Sequence, residues 1–225
     1  MIGTLMRADI FGHLLVYFNM ACLLCYVLLL AWGSLRTDLR ILRMSWIHIG
    51  YILSRILYGI FLSAGQYVHW FDNQFTRPLT YLPLPSGVPL PGLYALFGPL
   101  LRLRHGYFFD YMLSHFWLAL FWGLLTTLLL YILLRALRAY RPHLLSALDI
   151  NIFIAGSLIV GWPDILLYVI VAFVLFFIHV VFVTIRGGGR APLYPSLIIA
   201  TVLVYFSGTK MEIVFPIFDM LRFTH

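Results

Sequence analysis

The chain has 225 residues, of which 63% are hydrophobic and only 10% charged, with a mean hydropathy of +0.97. A water-soluble domain needs about a quarter of its residues charged to cover its surface, so a soluble globular protein is excluded. Fifteen Lys and Arg against eight Asp and Glu leave a net charge of +7. These cations fall in short clusters between apolar runs, as in membrane loops, and not in the continuous patches that bind nucleic acid.

In chain order, six stretches approach the roughly 20 apolar residues that a helix needs to cross a bilayer. They are Ile10–Trp32, Trp46–Gly65, Tyr111–Leu134, Ile150–Trp162, Ile165–Ile185 and Leu193–Phe206. The fourth and sixth are short, and are expected to be extended by flanking residues or to sit in thinned bilayer. The expected fold is an all-α polytopic membrane protein of about six transmembrane helices, forming one domain over residues 1–225. The first run is too long for a signal-peptide core and lacks a small-residue cleavage site, so it is expected to remain as a span. Met211–His225, with Pro216, Asp219 and Arg222, reads as interfacial.

Arg36, Arg40 and Arg43 follow the first span, Arg135, Arg138 and Arg141 the third, Arg186 and Arg190 the fifth. By the positive-inside rule these loops share the cytoplasmic side, which places both termini outside. The longest connection, Gln66–Asp110, is then external. It holds Pro78, Pro83, Pro85, Pro89, Pro91 and Pro99, six of the eleven prolines. Proline at this density is expected to block regular helix and sheet. Its aromatics, among them Tyr67, Trp70, Phe71, Phe75, Tyr81 and Phe97, suit an ordered surface for a protein partner or the membrane interface. The plainer alternative is a loop folded back on its own bundle.

Cys22 and Cys25 lie on one face of the first span with no further ligands nearby, and read as packing residues. His48, His69, His105, His115 and His143 show no metal-ligand spacing, so no metal and no cofactor is expected. Gly187-Gly188-Gly189 lacks the strand and the lysine-serine ending of a phosphate loop, and reads as a flexible cytoplasmic turn. Arg55 lies about 13 Å inside the second span at roughly 1.5 Å per residue. A charge there costs on the order of 2.5–3.5 kcal/mol, so it should face the protein interior with a partner. His179 is the candidate neighbour, and a buried structural pair is the simpler role.

Of the eight acids, only Asp38 and Asp149 fall on the basic side, each beside a span. Two close carboxylates cannot both ionise easily, so one is held protonated. The charged one can take a proton from water while the neutral one protonates a peptide carbonyl or the leaving amine. Alternatively, each pairs with a loop arginine, or Asp149 caps a helix.

The flanking residues carry a resemblance. Gly33-Ser34-Leu35-Arg36-Thr37-Asp38-Leu39-Arg40 resembles the first catalytic segment of the type IV prepilin peptidases, which are intramembrane aspartyl proteases. Ser146-Ala147-Leu148-Asp149-Ile150-Asn151 is similar to the second, and Pro192-Leu193-Tyr194-Pro195 resembles that family's Pro-x-x-Pro entry to a span. Ser146 and Leu148 stand where the family has glycines, Asn151 where it has lysine, and Ser45 where proline is common. The cysteine-rich cytoplasmic insert of the longer, bifunctional members is absent here, so its zinc site and methyl transfer are not implied, and the external proline-rich loop has no counterpart in the family. The resemblance implies catalytic Asp38 and Asp149 cutting the basic leader of a pilin-like precursor at the cytoplasmic face of a bacterial inner membrane. The alternative expectation is a catalytically silent relative working among the membrane-assembly subunits of a pilus or secretion apparatus. Arg55 alone argues for a small transporter.

Overall fold

A computed structural model describes residues 2–35, 40–90, 92–142, 145–187 and 191–214. Within these the protein is helical throughout: α1 (Ile2–Leu35), α2 (Arg40–Asp72), α3 (Gly98–Leu101), α4 (Gly106–Met112), α5 (Leu118–Tyr140), α6 (Ala147–Val160), α7 (Ile165–Ile185) and α8 (Tyr194–Val214). Short 3₁₀ segments at Leu79–Tyr81 and Gly92–Phe97 precede α3, and a π turn, Leu113–Trp117, joins α4 to α5. Among the described residues, four helical stretches are long and apolar enough to cross a membrane: His13–Trp32, Met44–Asp72, Gly106–Tyr140 and Ile165–Ile185. By length and composition this is a helical membrane protein. Ala147–Val160 and Tyr194–Ser207 are apolar but shorter, the two stretches whose sequence already ran short.

The chain divides into two compact units, Met1–Cys25 with Tyr51–Leu118, and Tyr26–Gly50 with Ala119–His225. In the first, the N-terminal part of α1 packs on α2 through an edge-to-face contact of Phe18 and Phe61, with ring centroids 6.3 Å apart. The Trp117 indole donates to the Ser63 hydroxyl at 3.1 Å and lies over Gly59. A π turn carries one extra residue per turn and redirects the side chains that follow it; here it brings Trp117 onto α2.

The segment 66–110 differs from its expectation. Residues 66–72 complete α2 and 106–110 open α4, so proline confines only the middle to short turns. That middle folds back on the helix ends. The Leu84 amide donates to the Leu101 carbonyl (2.9 Å) and the Tyr107 amide to the Leu82 carbonyl (3.0 Å). Thr80 and Leu101 are wholly buried. Trp70, Phe108 and Met112 form the cluster beneath, with Tyr67 and Tyr111 packed against it. Exposed Arg77 and Arg104 lie over the Phe71 and Tyr81 rings. The physical reason is the aromatic content: rings this dense bury one another even where proline removes backbone donors.

In the second unit, α6, α7 and α8 pack together. A helix that is apolar all round belongs inside, and α6 buries Ile150, Phe153, Ile154, Ala155, Gly156, Ser157 and Leu158. Its small residues Ala155-Gly156-Ser157 allow close approach, as small residues do at membrane helix interfaces. The Tyr168 hydroxyl of α7 reaches the Phe153 carbonyl (3.4 Å) and hydrogen-bonds Thr201 of α8. Gly161, at φ +76°, ends α6 in a backbone region that favours glycine. Pro195 sits in the first turn of α8, where its missing amide costs nothing.

Candidate functional site

Asp149 stands in the first turn of α6 and is buried, 5% exposed. Ser146 is the N-cap, and the two form a reciprocal capping box. The Ser146 amide and hydroxyl both donate to Asp149 Oδ2, at 2.9 and 2.6 Å, and the Asp149 amide donates back to Ser146 Oγ at 3.1 Å. Two free amides at a helix start are thereby satisfied.

The two oxygens of Asp149 are not equivalent. Oδ2 is held by two donors, whereas Oδ1 is buried without a hydrogen-bond partner among the described residues. A buried polar atom left unpaired costs on the order of 1–3 kcal/mol. Chemically, Oδ1 is the oxygen free to accept a proton from water or a hydrogen bond from a ligand.

The helix-capping alternative for Asp149 is therefore realised, through a partner that the comparison with glycine-rich motifs hides. Ser146 enters that comparison only as a departure from glycine, yet Ser-x-x-acid ahead of an apolar run is itself the signature of a capping box. Leu148 is likewise no obstacle. It lies in the helical first turn, and among the described residues the positive-φ non-glycine is His105. The backbone in this chain does not use the conformation that a glycine at 148 would permit.

Asp38, together with Arg36, His143 and Arg190, lies outside the described residues. Arg55 has a partner other than the expected His179: its Nη1 donates to Asn19 Oδ1 at 2.9 Å, and its Cζ lies 5.8 Å from the Tyr58 ring centroid. Asn19 was missed because a single polar residue in an apolar run has no periodic signal. His179 is half-buried on α7, in the other unit.

A second buried polar pair joins α1 and α2 within the second unit. Tyr26 Oη lies 2.7 Å from His48 Nδ1, both residues are buried, and His48 Nε2 has no partner among the described residues. Cys22 is half-buried and Cys25 exposed, both with free thiols. Among the described residues no three His, Cys, Asp or Glu side chains converge to hold a metal ion. No family model, no curated protein and no solved structure matches this chain.

Proposed function

We propose that this chain is an intramembrane aspartic endopeptidase of the prepilin-peptidase type. It spans a bacterial inner membrane six times with both termini outside, and removes the basic leader of a pilin-like precursor at the cytoplasmic face. The observation that supports this reading most is the carboxylate of Asp149, buried at the head of α6 with Oδ2 anchored by Ser146 and Oδ1 unpaired. In the proposed reaction Oδ1 takes the proton of an attacking water. Asp38, kept protonated by its charged neighbour, donates to the oxygen of the scissile carbonyl as the water oxygen bonds to its carbon; the tetrahedral intermediate then collapses, Asp38 takes that proton back, the C–N bond breaks and the leaving amine receives the proton held by Asp149.

A second reading has its own support. A capping box satisfies Asp149 as a structural residue, and Asn151 replaces the family's lysine, which suits a silent relative that holds other subunits of a pilus or secretion apparatus. Purified protein in nanodiscs, incubated with a pilin-like precursor, separates the two. The peptidase reading expects a shortened precursor, and no shortening with either Asp38→Asn or Asp149→Asn. Cleavage that survives Asp149→Asn sinks it. A precursor or assembly subunit that co-purifies intact with the wild type, uncut over hours, favours the second reading.

A further inference from the structure

From residue 73 to residue 105 the sequence holds Arg77, Arg102 and Arg104 but no Asp or Glu. Two of these cations are held on aromatic rings. Arg77 Cζ lies 4.7 Å from the Phe71 centroid, Arg104 Cζ lies 5.0 Å from the Tyr81 centroid, and the two rings meet edge to face at 6.2 Å. Tyr67 and His105 close the group. Tyr67 is 6.4 Å from Phe71 and 6.1 Å from His105, and His105 is 5.2 Å from Tyr81.

Buried Thr80 fixes this arrangement. Its hydroxyl donates to the Arg77 carbonyl at 2.6 Å, and its own carbonyl accepts from His105 Nδ1 at 2.5 Å. One residue thus ties down Arg77 and the neighbour of Arg104. Both arginines are exposed, and among the described residues neither guanidinium makes a hydrogen bond or an ion pair. A ring can take the face of a guanidinium and leave its N–H edge for an oxyanion.

The helix ends say which oxyanion is at hand. Met44–Asp72 and Gly106–Tyr140 are both long and apolar enough to cross a membrane. Phe71 stands in the last turn of the first, and Arg104 two residues before the second. The ring group therefore sits where two spans leave the apolar layer, on whichever side that is, and the anion abundant in that zone is lipid phosphate.

We propose that Arg77 and Arg104, set on this ring group, bind the phosphate of an anionic phospholipid. A zwitterionic lipid carries its own cation beside the phosphate, so the site selects headgroups of net negative charge. It does not draw on Asp149, and it stands whether or not a precursor is cut.

The test uses the full chain with Cys22→Ser and Cys25→Ser and a fluorophore on the thiol of Gln74→Cys, an exposed position. It is held in phosphatidylcholine nanodiscs that carry a rising fraction of lipid spin-labelled on its acyl chain. Spin-labelled phosphatidylglycerol is expected to quench at a roughly tenfold lower fraction than spin-labelled phosphatidylcholine, the size of one added hydrogen bond to a charged group. Arg77→Gln together with Arg104→Gln should abolish that preference. Arg102→Gln should keep it, because Arg102 lines a separate cleft with Val88 and Leu90. Equal quenching by the two lipids with all arginines intact overturns the proposal, and this comparison needs no arginine variant to fold. An equal loss with Arg102→Gln would mean a diffuse positive field and also overturns it. Removal of the preference at constant ionic strength by millimolar inorganic phosphate, or by a soluble glutamate-rich peptide, would assign the rings to a soluble anion or an acidic protein segment, and overturns it as well.

Discussion

Asp149 owes its geometry to one neighbour. Ser146→Ala removes the hydroxyl that both donates to Oδ2 and accepts from the Asp149 amide. Loss of an N-cap of this kind costs about 1 kcal/mol, so thermal unfolding in detergent should shift down, with Ser146→Thr retaining most of the stability. If Asp149 also works as a base, Ser146→Ala should lower cleavage more than stability, because the carboxylate loses its fixed orientation. Gly156 is the other position where a single atom decides. A Cβ there would run into the Tyr168 hydroxyl and Thr201 Oγ1. Gly156→Ala is expected to destabilise by about 1–3 kcal/mol, the usual cost of overpacking, measured as a fall in the unfolding midpoint. An unchanged midpoint would mean that α6 does not pack on α7 and α8 as described. Gly156 does not stand out in the sequence, being one of several glycines in apolar runs, whereas Ser146 carries a capping-box spacing that its likeness to a lost glycine hides.

The segment 66–110 behaves as an element although proline denies its middle regular hydrogen bonding. Its anchor is the turn from α3 into α4, where His105 adopts a left-handed conformation (φ 73°) and Gly106 lies against the Leu101 carbonyl. A Cβ on Gly106 would overlap that carbonyl, and backbone cannot yield as a flexible side chain can. Gly106→Ala should therefore cost about 3 kcal/mol or more and open residues 73–105 to limited proteolysis, while the wild type resists. Deleting Pro78–Pro99 is a poorer probe than its surface position suggests, because it removes buried Thr80 and Leu84. Substituting exposed Phe75 and Leu96 by Ser leaves the fold in place and tests partner binding alone: co-purification lost with both replaced supports a partner surface. Proline content made the absence of long helix legible here. The fold-back stood there only as one of two alternatives, since it depends on which rings meet, such as Trp70 with Phe108 at 5.4 Å, and sequence distance hides such pairs.

At the scale of the whole molecule, the expected orientation is open to direct measurement. In a background where Cys22 and Cys25 are replaced by Ser, Arg138→Cys and Arg186→Cys should react with a membrane-impermeant thiol reagent from the cytoplasmic side. Asp72→Cys and Asp164→Cys should react from the outside. Labelling of Arg138 and Asp72 from the same side would break the six-span arrangement, and with it the placing of Asp38 and Asp149 on one face. By itself the sequence determined the class of protein and most of its helices. Composition excludes a soluble surface, and uninterrupted apolar runs must be helical because a backbone in lipid has to satisfy its own hydrogen bonds. Those are local properties that each segment carries alone. The tertiary structure decided the pairings. It gave Arg55 to Asn19 across the α1–α2 packing and Tyr26 to His48, made α6 the buried helix against α7 and α8, and left Asp149 with one oxygen bound and the other free. Such choices depend on which faces of apolar helices meet, and in helices as uniformly apolar as α6 the residue pattern offers no stripe to name that face.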